Sequence, residues 1–483
     1  MQNKKKRKIT KSENLLAQMK EGAALTGKQQ LQLVCFLSIP AILAQITSII
    51  MQYIDASMVG SLGAEASASI GLVSSSTWLF GGLCGAVASG FSIQAAHYIG
   101  AGKINEARSV MRQSVLASMI VSLFLVMSGL LIGGKLPVWL GAEEAIQKNA
   151  SGYFLIFIAS LPLIQMNRLA GSLLQCSGDM RTPGMLNIGM CIMDVIFNGL
   201  LIFPTRTVVI AGVTLCIPGA GLGVLGAALG TALAELVTAI LMMGSLCLRS
   251  HIFKLKRRES WRPEKSCIGK AIKLAVPIGW ENVMMCGAMI ATTRIVAPLG
   301  AVAIAANSFA ITAESLCYMP GYGIGDAAAT LTGQSLGAGR VELTRRFSKI
   351  AVEIGIFIMA ITGAAMFFAA PFMMSLLTPN REIQELGIQI LRIEVFAEPM
   401  YGASIVASGA LRGAGDTFIP SMMNFMSIWF VRLPLALLLS GSLGLKGVWI
   451  AMCVELCFRG SIFLLRLGSS FTNITNKEKR KKC

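Results

Sequence analysis

Several carboxylates lie inside long apolar stretches of this chain, where an ionised side chain is costly and is by default a functional candidate. Asp55 lies near the end of the first apolar stretch, and Asp194 lies midway along the fifth. Two carboxylates in one cavity of low dielectric constant repel each other, so such a pair can take up a proton or small cation and release it elsewhere. We interpret Asp55 and Asp194 as a cation-coupling pair. The alternative is that each is a structural partner of Asn, Thr or backbone groups.

The second half of the chain has its own carboxylates in apolar stretches, namely Glu281, Glu314, Glu394 and Glu398. We expect three of them to bind a cationic substrate: Glu281, Glu314 and Glu398. Glu281 follows Pro277 by four residues, and this proline predicts a helix break that frees backbone groups beside the carboxylate. The alternative is that these carboxylates pair with Arg294, Arg392 or Arg432. Weaker candidates are Asp326, Glu235 and Glu455, of which Asp326 and Glu235 are predicted to lie near the cytoplasmic edge or at packing positions.

The elements that position these groups must be membrane-spanning helices. Hydrophobic residues make up 54% of the 483 residues and charged residues only 14%, against about 25% charged in soluble domains. The apolar runs are close to the roughly 20 residues that cross a bilayer as a helix. We therefore predict an all-α integral membrane protein with about twelve spans, at 33–58, 68–98, 113–134, 150–174, 184–203, 222–247, 269–297, 303–330, 349–377, 387–411, 419–440 and 446–467.

The chain contains an internal duplication. Pro40 recurs as Pro277, residues 100–102 (GAG) recur as 337–339, and residues 178–179 (GD) recur as 415–416, each pair separated by 237 positions. Six spans return the chain to its starting side, so the repeats are predicted to be parallel six-helix lobes related by an axis along the membrane normal. The predicted domains are a basic N-terminal segment, an N-lobe, a linker, a C-lobe and a basic tail, at 1–32, 33–248, 249–268, 269–468 and 469–483.

The net charge of +18 reflects membrane topology. Lys and Arg concentrate before the first span, after every second span and at the end of the chain, which places both termini in the cytoplasm of a multi-pass cell-membrane protein. We therefore expect membrane lipid around the protein and no nucleic acid partner. The twelve cysteines are scattered singly, and we expect them to be reduced.

Two motifs are set aside as enzyme signatures. Residues 221–226 fit GxGxxG but follow no strand of a βαβ unit, so a dinucleotide site is not expected. Residues 323–326 (GIGD) fit an intramembrane aspartyl protease signature, but its second aspartate, after a tyrosine on the preceding helix, has no match. With no Walker A sequence, uphill transport would be driven by an ion gradient and would need no cofactor. Three GxxxG spacings predict close helix contacts instead, at Gly81–Gly85, Gly129–Gly133 and Gly226–Gly230.

Three further stretches give the chain a family resemblance over about residues 33–467. Residues 54–63 (IDASMVGSLG), 333–339 (GQSLGAG) and 411–417 (LRGAGDT) resemble motifs of the multidrug and toxic compound extrusion (MATE) family. The resemblance implies a twelve-helix, two-lobed antiporter that exports organic cations and drugs in exchange for protons or sodium. Alternatives are a flippase for lipid-linked sugars from the same broad superfamily, an intramembrane protease or a passive channel. We expect a transporter that is not an enzyme and that acts as a monomer.

The resemblance also carries residue roles. Asp55 and Asp194 match the coupling acids of the family's first and fifth spans, and Thr231 matches a threonine of its sixth span. Members with a well-formed sodium site tend to have Asn four residues before the fifth-span acid, where this chain has Met190. A thioether is a poor ligand for a hard cation, which favours protons over sodium.

Overall fold

A computed structural model describes residues 11–210, 213–255 and 260–482. The first ten residues of the predicted N-terminal segment, residues 256–259 of the predicted linker and Cys483 lie outside the described residues. The described chain consists of helices apart from one two-stranded hairpin. The helices and strands are α1 (Lys11–Lys20), α2 (Gly27–Gly60), α3 (Ala64–Gly100), α4 (Ile104–Gly133), α5 (Leu136–Trp139), α6 (Glu144–Cys176), α7 (Arg181–Leu201), β1 (Pro204–Ile210), β2 (Val213–Ala220), α8 (Val224–Gly244), α9 (Lys265–Val296), α10 (Ala301–Gly337), α11 (Val341–Leu377), α12 (Arg381–Glu394), α13 (Glu398–Gly413), α14 (Phe418–Ser427), α15 (Leu433–Leu443) and α16 (Leu445–Lys482).

The predicted all-α membrane fold is confirmed. Within the described residues, 11 helical segments are long and apolar enough to cross a membrane, and each covers one predicted span. The tenth predicted span, 387–411, is instead two shorter helices, α12 and α13, joined by a single turn of 3₁₀ helix at Val395–Ala397. Pro399 lies in the first turn of α13, where its missing N–H leaves no unmade bond, so it is compatible with this restart of the helix.

Two local predictions differ from the structure. Pro277 does not break its helix, because α9 runs without interruption from Lys265 to Val296; neighbouring helices in a bundle allow a proline to be accommodated within a continuous helix. The loop between the fifth and sixth spans carries the antiparallel hairpin β1–β2, which hydropathy did not predict. Gly223 follows the hairpin with φ +57° and starts α8, a conformation that favours glycine.

Helices from the two sequence repeats pack on each other near the middle of the molecule. α2 contacts α7 from its own repeat and α10 from the other, while α3 contacts α6, α9 and α10. Tyr53 on α2 donates a hydrogen bond from its hydroxyl to the backbone oxygen of Thr312 on α10, at 2.7 Å. The division into lobes at 33–248 and 269–468 stays a prediction.

A buried ion network joins the last helices of the second repeat. The Glu455 side chain is fully buried and accepts hydrogen bonds from Arg432 Nη2 at 2.7 Å, Arg459 Nη2 at 3.1 Å and Ser427 Oγ at 2.5 Å. Glu455 lies on α16, and its two guanidinium partners come from the same helix (Arg459) and from the helical turn after α14 (Arg432), so its contacts are those of a structural anion.

We expect Glu455→Ala to lower the free energy of unfolding by about 3–5 kcal/mol, because it leaves two mostly buried arginines without their counter-charge. The measurement is thermal unfolding in detergent. Glu342→Ala is the matched control: its pair with Arg346 is exposed on both sides, so a change of under about 0.5 kcal/mol is expected. Equal effects of the two substitutions would contradict the structural role of Glu455.

Candidate functional site

Asp55 and Asp194 lie together in one pocket, as the interpretation of the two acids as a pair requires. Asp55 lies on α2 and Asp194 on α7, and one amide joins them: Asn198 Nδ2 donates to Asp55 Oδ1 at 2.9 Å and to Asp194 Oδ2 at 3.0 Å. Asn198 lies four residues after Asp194, so both side chains project from the same face of α7. Asp194 and Asn198 are fully buried, while Asp55 is partly exposed.

Thr231 on α8 completes the pocket, with its side chain against the Asp194 carboxylate. Two buried oxygens, Asp194 Oδ1 and Asn198 Oδ1, accept no hydrogen bond from the described part of the chain. Buried acceptors without a donor are unfavourable, and two carboxylates away from water repel each other. A bound proton or small cation would relieve both problems, so the arrangement suits reversible uptake of one positive charge.

Close packing of α8 on α7 places Asn198 in this pocket. A Cβ on Gly226 would overlap the backbone oxygen of Leu201, and one on Gly230 would overlap the Asn198 amide. The Gly226–Gly230 spacing is therefore a close helix contact, as predicted. Gly129 and Gly133 likewise contact side chains of α6, at Ile158 and Leu155. The prediction is wrong for Gly81 and Gly85, whose absent Cβ positions have no atom within 4 Å.

A third carboxylate lies one helical turn from Thr231. Glu235 Oε2 accepts a hydrogen bond from Asn167 Nδ2 at 2.7 Å, and the same amide lies 3.8 Å from the sulfur of Met190. The sequence ranked Glu235 low, yet the structure places it next to the predicted pocket. Met190 provides sulfur at this point where an asparagine would provide oxygen.

A cavity of about 310 Å³ lies between helices of the two repeats. Its charged lining residues are Glu281, Asp326, Arg412 and Arg459, and aromatic rings of Trp78, Tyr322 and Tyr401 line it as well. Asp326 is oriented by a bond from Gln45, and Arg168 and Arg412 are near enough to act on it electrostatically. The wall thus combines apolar faces with a few charges, as small-molecule sites do.

Glu281 lines this cavity, but its carboxylate is already occupied. Arg412 Nη2 lies 2.7 Å from both carboxylate oxygens, Ser421 Oγ donates to Oε2 at 2.6 Å and Asn424 Nδ2 donates to Oε1 at 2.8 Å. The pairing alternative is therefore realised, though with Arg412 and with none of the three arginines suggested by the sequence. A substrate cation at Glu281 would compete with this arginine.

Glu314 and Glu398 come together with Glu394 in the second repeat. All three are buried, at 8%, 1% and 1% exposure, and their carboxylates are close enough to interact electrostatically. Within the described residues, both Glu394 oxygens and Glu398 Oε2 are buried without a hydrogen-bond partner. This acid cluster stands behind the cavity wall, since none of its members is among the lining residues.

Two residues of the site, Asn198 and Arg412, were missed as site candidates in the sequence, and a third, Asp326, was ranked low. Asn198 had a visible signal, its four-residue spacing from Asp194. Arg412 was visible only as part of a motif, and its partner lies 131 positions away. Asp326 was ranked low because hydropathy placed it near a membrane edge, whereas the structure places it on the cavity.

Comparison with known proteins matches both repeats. A family model described as MatE matches residues 40–200 and 277–438, well over half of the chain, and the two matched segments begin 237 positions apart. A protein from Thermotoga maritima described as a probable multidrug resistance protein NorM is 25% identical over 440 residues, which cover 89% of this chain and 90% of that protein. One with the same description from Bacillus cereus is 23% identical over 454 residues, covering 92% and 96%.

Solved structures show the same fold. An outward-facing multidrug resistance MATE family transporter superposes with a TM-score of 0.86 at 20% identity, covering 97% of this chain and 100% of that chain. The MATE transporter VcmN of Vibrio cholerae gives a TM-score of 0.83 at 17% identity, covering 95% and 98%.

We expect Gly230→Ala to disturb the carboxylate pocket, because its new methyl group would overlap the Asn198 amide that joins Asp55 to Asp194. Overpacking of this kind lowers the free energy of unfolding by about 1–3 kcal/mol. The measurement is thermal unfolding in detergent. Gly244→Ala on the same helix is the control, since a Cβ there has no atom within 4 Å. A loss no larger than that of the control would show that Gly230 does not set the packing.

Proposed function

The chain belongs to the MatE family, and from this membership we propose that it is a secondary antiporter that exports organic cations, including drugs, in exchange for protons. The observation that carries the proposal is the pocket in which Asn198 bridges Asp55 and Asp194. Two carboxylates held by one neutral amide, with buried oxygens left over, form a group whose charge changes when one ion binds.

The position of the pocket supports a mechanism for exchanging protons against substrate. Asp55 is on α2, and the same helix contacts α10 of the other repeat through Tyr53 and Thr312. In the outward-facing state, protonation of Asp55 and Asp194 removes charge, lets the helices of the first repeat bend and releases the substrate. In the inward-facing state, deprotonation restores the negative charge of the pocket, and a substrate cation binds in the cavity between the repeats. Rocking of one lobe against the other alternates access.

The available driving force is modest. One pH unit across the membrane is worth about 1.4 kcal/mol per proton, which supports about a tenfold substrate gradient. For one proton against one monovalent cation the membrane potential cancels. We propose that the protein works as a monomer in the cell membrane, with both termini in the cytoplasm.

Protons rather than sodium fit this pocket. Sodium prefers several oxygen ligands, and position 190, one turn before Asp194, presents the Met190 thioether. Asp55, Asp194, Thr231 and Asn198 supply oxygens, which would form an incomplete ligand set for sodium but suffice for a proton.

The substrate is proposed to occupy the 310 Å³ cavity. Of the three predicted substrate carboxylates, only Glu281 lines it, and Arg412 must yield before Glu281 can bind a cation. Asp326 is the second acid on the cavity wall, and we add it to the proposed substrate contacts. Glu314 and Glu398 are proposed to act from behind the wall, as negative charge that attracts a cation.

One observation favours the flippase alternative: Arg412 and Arg459 also line the cavity, as phosphate recognition would require. Both arginines are already paired, Arg412 with Glu281 and Arg459 with Glu455. Since their charge is neutralised within the protein, we rank cation export above it.

We expect Asp55→Asn and Asp194→Asn each to abolish ethidium efflux driven by an imposed pH gradient, because neither amide can exchange a proton. The measurement is efflux from cells that express equal amounts of each variant in the membrane. Glu65→Gln, an exposed acid at the start of α3, is the control and should keep wild-type efflux. Normal efflux by Asp55→Asn would rule out its coupling role.

We expect Met190→Asn to add sodium-driven efflux to the proton-driven activity, since the new amide oxygen completes the ligand set beside Asp194. Efflux is measured with sodium and proton gradients imposed separately. The wild-type chain should respond to the pH gradient alone. Sodium-driven efflux by the wild type would show that Met190 does not exclude sodium.

A further inference from the structure

Two side chains make equivalent bonds between the repeats. His97 at the end of α3 contacts the backbone oxygen of Gly413 through Nε2 at 2.8 Å, and Gln334 at the end of α10 donates from Nε2 to the backbone oxygen of Cys176 at 2.7 Å. His97 and Gln334 are 237 positions apart, and so are Cys176 and Gly413. A carbonyl oxygen can only accept, so His97 carries its proton on Nε2. We call these two bonds the paired clasp.

The backbones cross at the same point with the same symmetry. A Cβ on Gly100 would overlap the backbone oxygen of Gln334, and a Cβ on Gly337 would overlap that of His97. Gly100 and Gly337 are again 237 positions apart. Each repeat thus presents the same surface to the other, as in an isologous contact about a twofold axis. The axis of the duplication passes through this crossing of α3 and α10.

The paired clasp closes one end of the cavity. Three residues at the clasp line the cavity: Cys176, whose backbone oxygen accepts one clasp bond, and Ala96 and Arg412, which directly precede His97 and Gly413. The lysines and arginines that follow α3 and α10 mark this end as the basic side of the membrane. Helix α1 covers it further, with Leu16 against Gly178 and the Arg340 guanidinium bonded to the backbone oxygens of Met19 and Ala23.

We propose that His97 and Gln334 are positioning residues of the transport cycle, which hold the cavity shut on the basic side and release together when it opens there. This inference rests on the proposed alternating access. Because both bonds join the same two bodies across one axis, opening on this side breaks both, and each bond contributes to the free energy that keeps this side closed. Loss of either bond therefore shifts the population towards the state open on the basic side.

The test measures access to Cys176, whose thiol is 5% exposed and lies on the closed end of the cavity. A membrane-impermeant maleimide is added to vesicles whose basic side faces outward. Labelling is quantified by mass spectrometry on the tryptic peptide Leu169–Arg181, which contains Cys176 and no other cysteine. The readout needs no transported substrate, so it stands even if the proposed drug export fails.

We expect His97→Ala and Gln334→Ala each to raise the Cys176 labelling rate by roughly three- to tenfold, the range of one hydrogen bond. His97→Gln should stay near the wild-type rate, because the chain itself uses Gln for the equivalent bond. Gln113→Ala is the matched control: this buried amide bonds Arg262 and Glu264 away from the α3–α10 crossing, so no rise is expected.

Unchanged labelling in both alanine variants would overturn the proposal. An equal rise with Gln113→Ala would also overturn it, because that result would mean general loosening of the fold. Faster labelling in the two alanine variants alone would establish the clasp as the closure on the basic side.

Discussion

The structure depends on how negative charge is neutralised away from water. Glu455 is held by two arginines, and Glu281 accepts both contacts of Arg412 and two further hydrogen bonds. Asp55 and Asp194 have a neutral amide between them, and within the described residues neither is hydrogen-bonded to a cationic side chain. Glu455 and Glu281 therefore have a counter-charge within the protein. Asp55 and Asp194 do not, which is why the proposed function assigns the mobile ion to them.

Small residues determine where the charged groups can meet. Gly226 and Gly230 let α7 approach α8 so closely that the Asn198 amide reaches both aspartates. At the other important crossing, Gly100 and Gly337 bring α3 and α10 near enough for side chains to bond carbonyls of the opposite repeat. In a membrane, apolar burial gives helices little reason to associate, so close packing of this kind carries much of their affinity. The glycines are therefore as specific to the mechanism as the acids are.

The sequence predicted what depends on local pattern and on duplication. Helical spans follow from run length, and acids within them are visible directly; within the described residues, 11 of the twelve predicted spans correspond to helices long and apolar enough to cross a membrane. The ion-pair partners of these acids were not predicted, because the partner of Glu281, Arg412, lies 131 positions away on another helix. The interruption at Val395–Ala397 and the hairpin β1–β2 were missed as well, since both lie where hydropathy alone does not distinguish a break or a strand from a continuous run. Hydropathy also assigned Asp326 to a membrane edge, whereas the structure places it on the cavity between helices of the two repeats.

The 237-residue repeat is retained by the residues that pack the two repeats together and is absent from the candidate functional acids. The clasp residues obey the 237-residue offset, including their acceptors and the glycines between them. The candidate functional acids do not: Asp55 and Asp194 correspond to Thr292 and Val431, and Glu314, Glu394 and Glu398 correspond to Thr77, Phe157 and Leu161. Under the proposed exchange, the symmetric scaffold would let two lobes rock about one axis with matched contacts. The asymmetric acids would let an ion act in one repeat while the acids that line the cavity lie in the other, so that binding in one repeat would bias a motion shared by both.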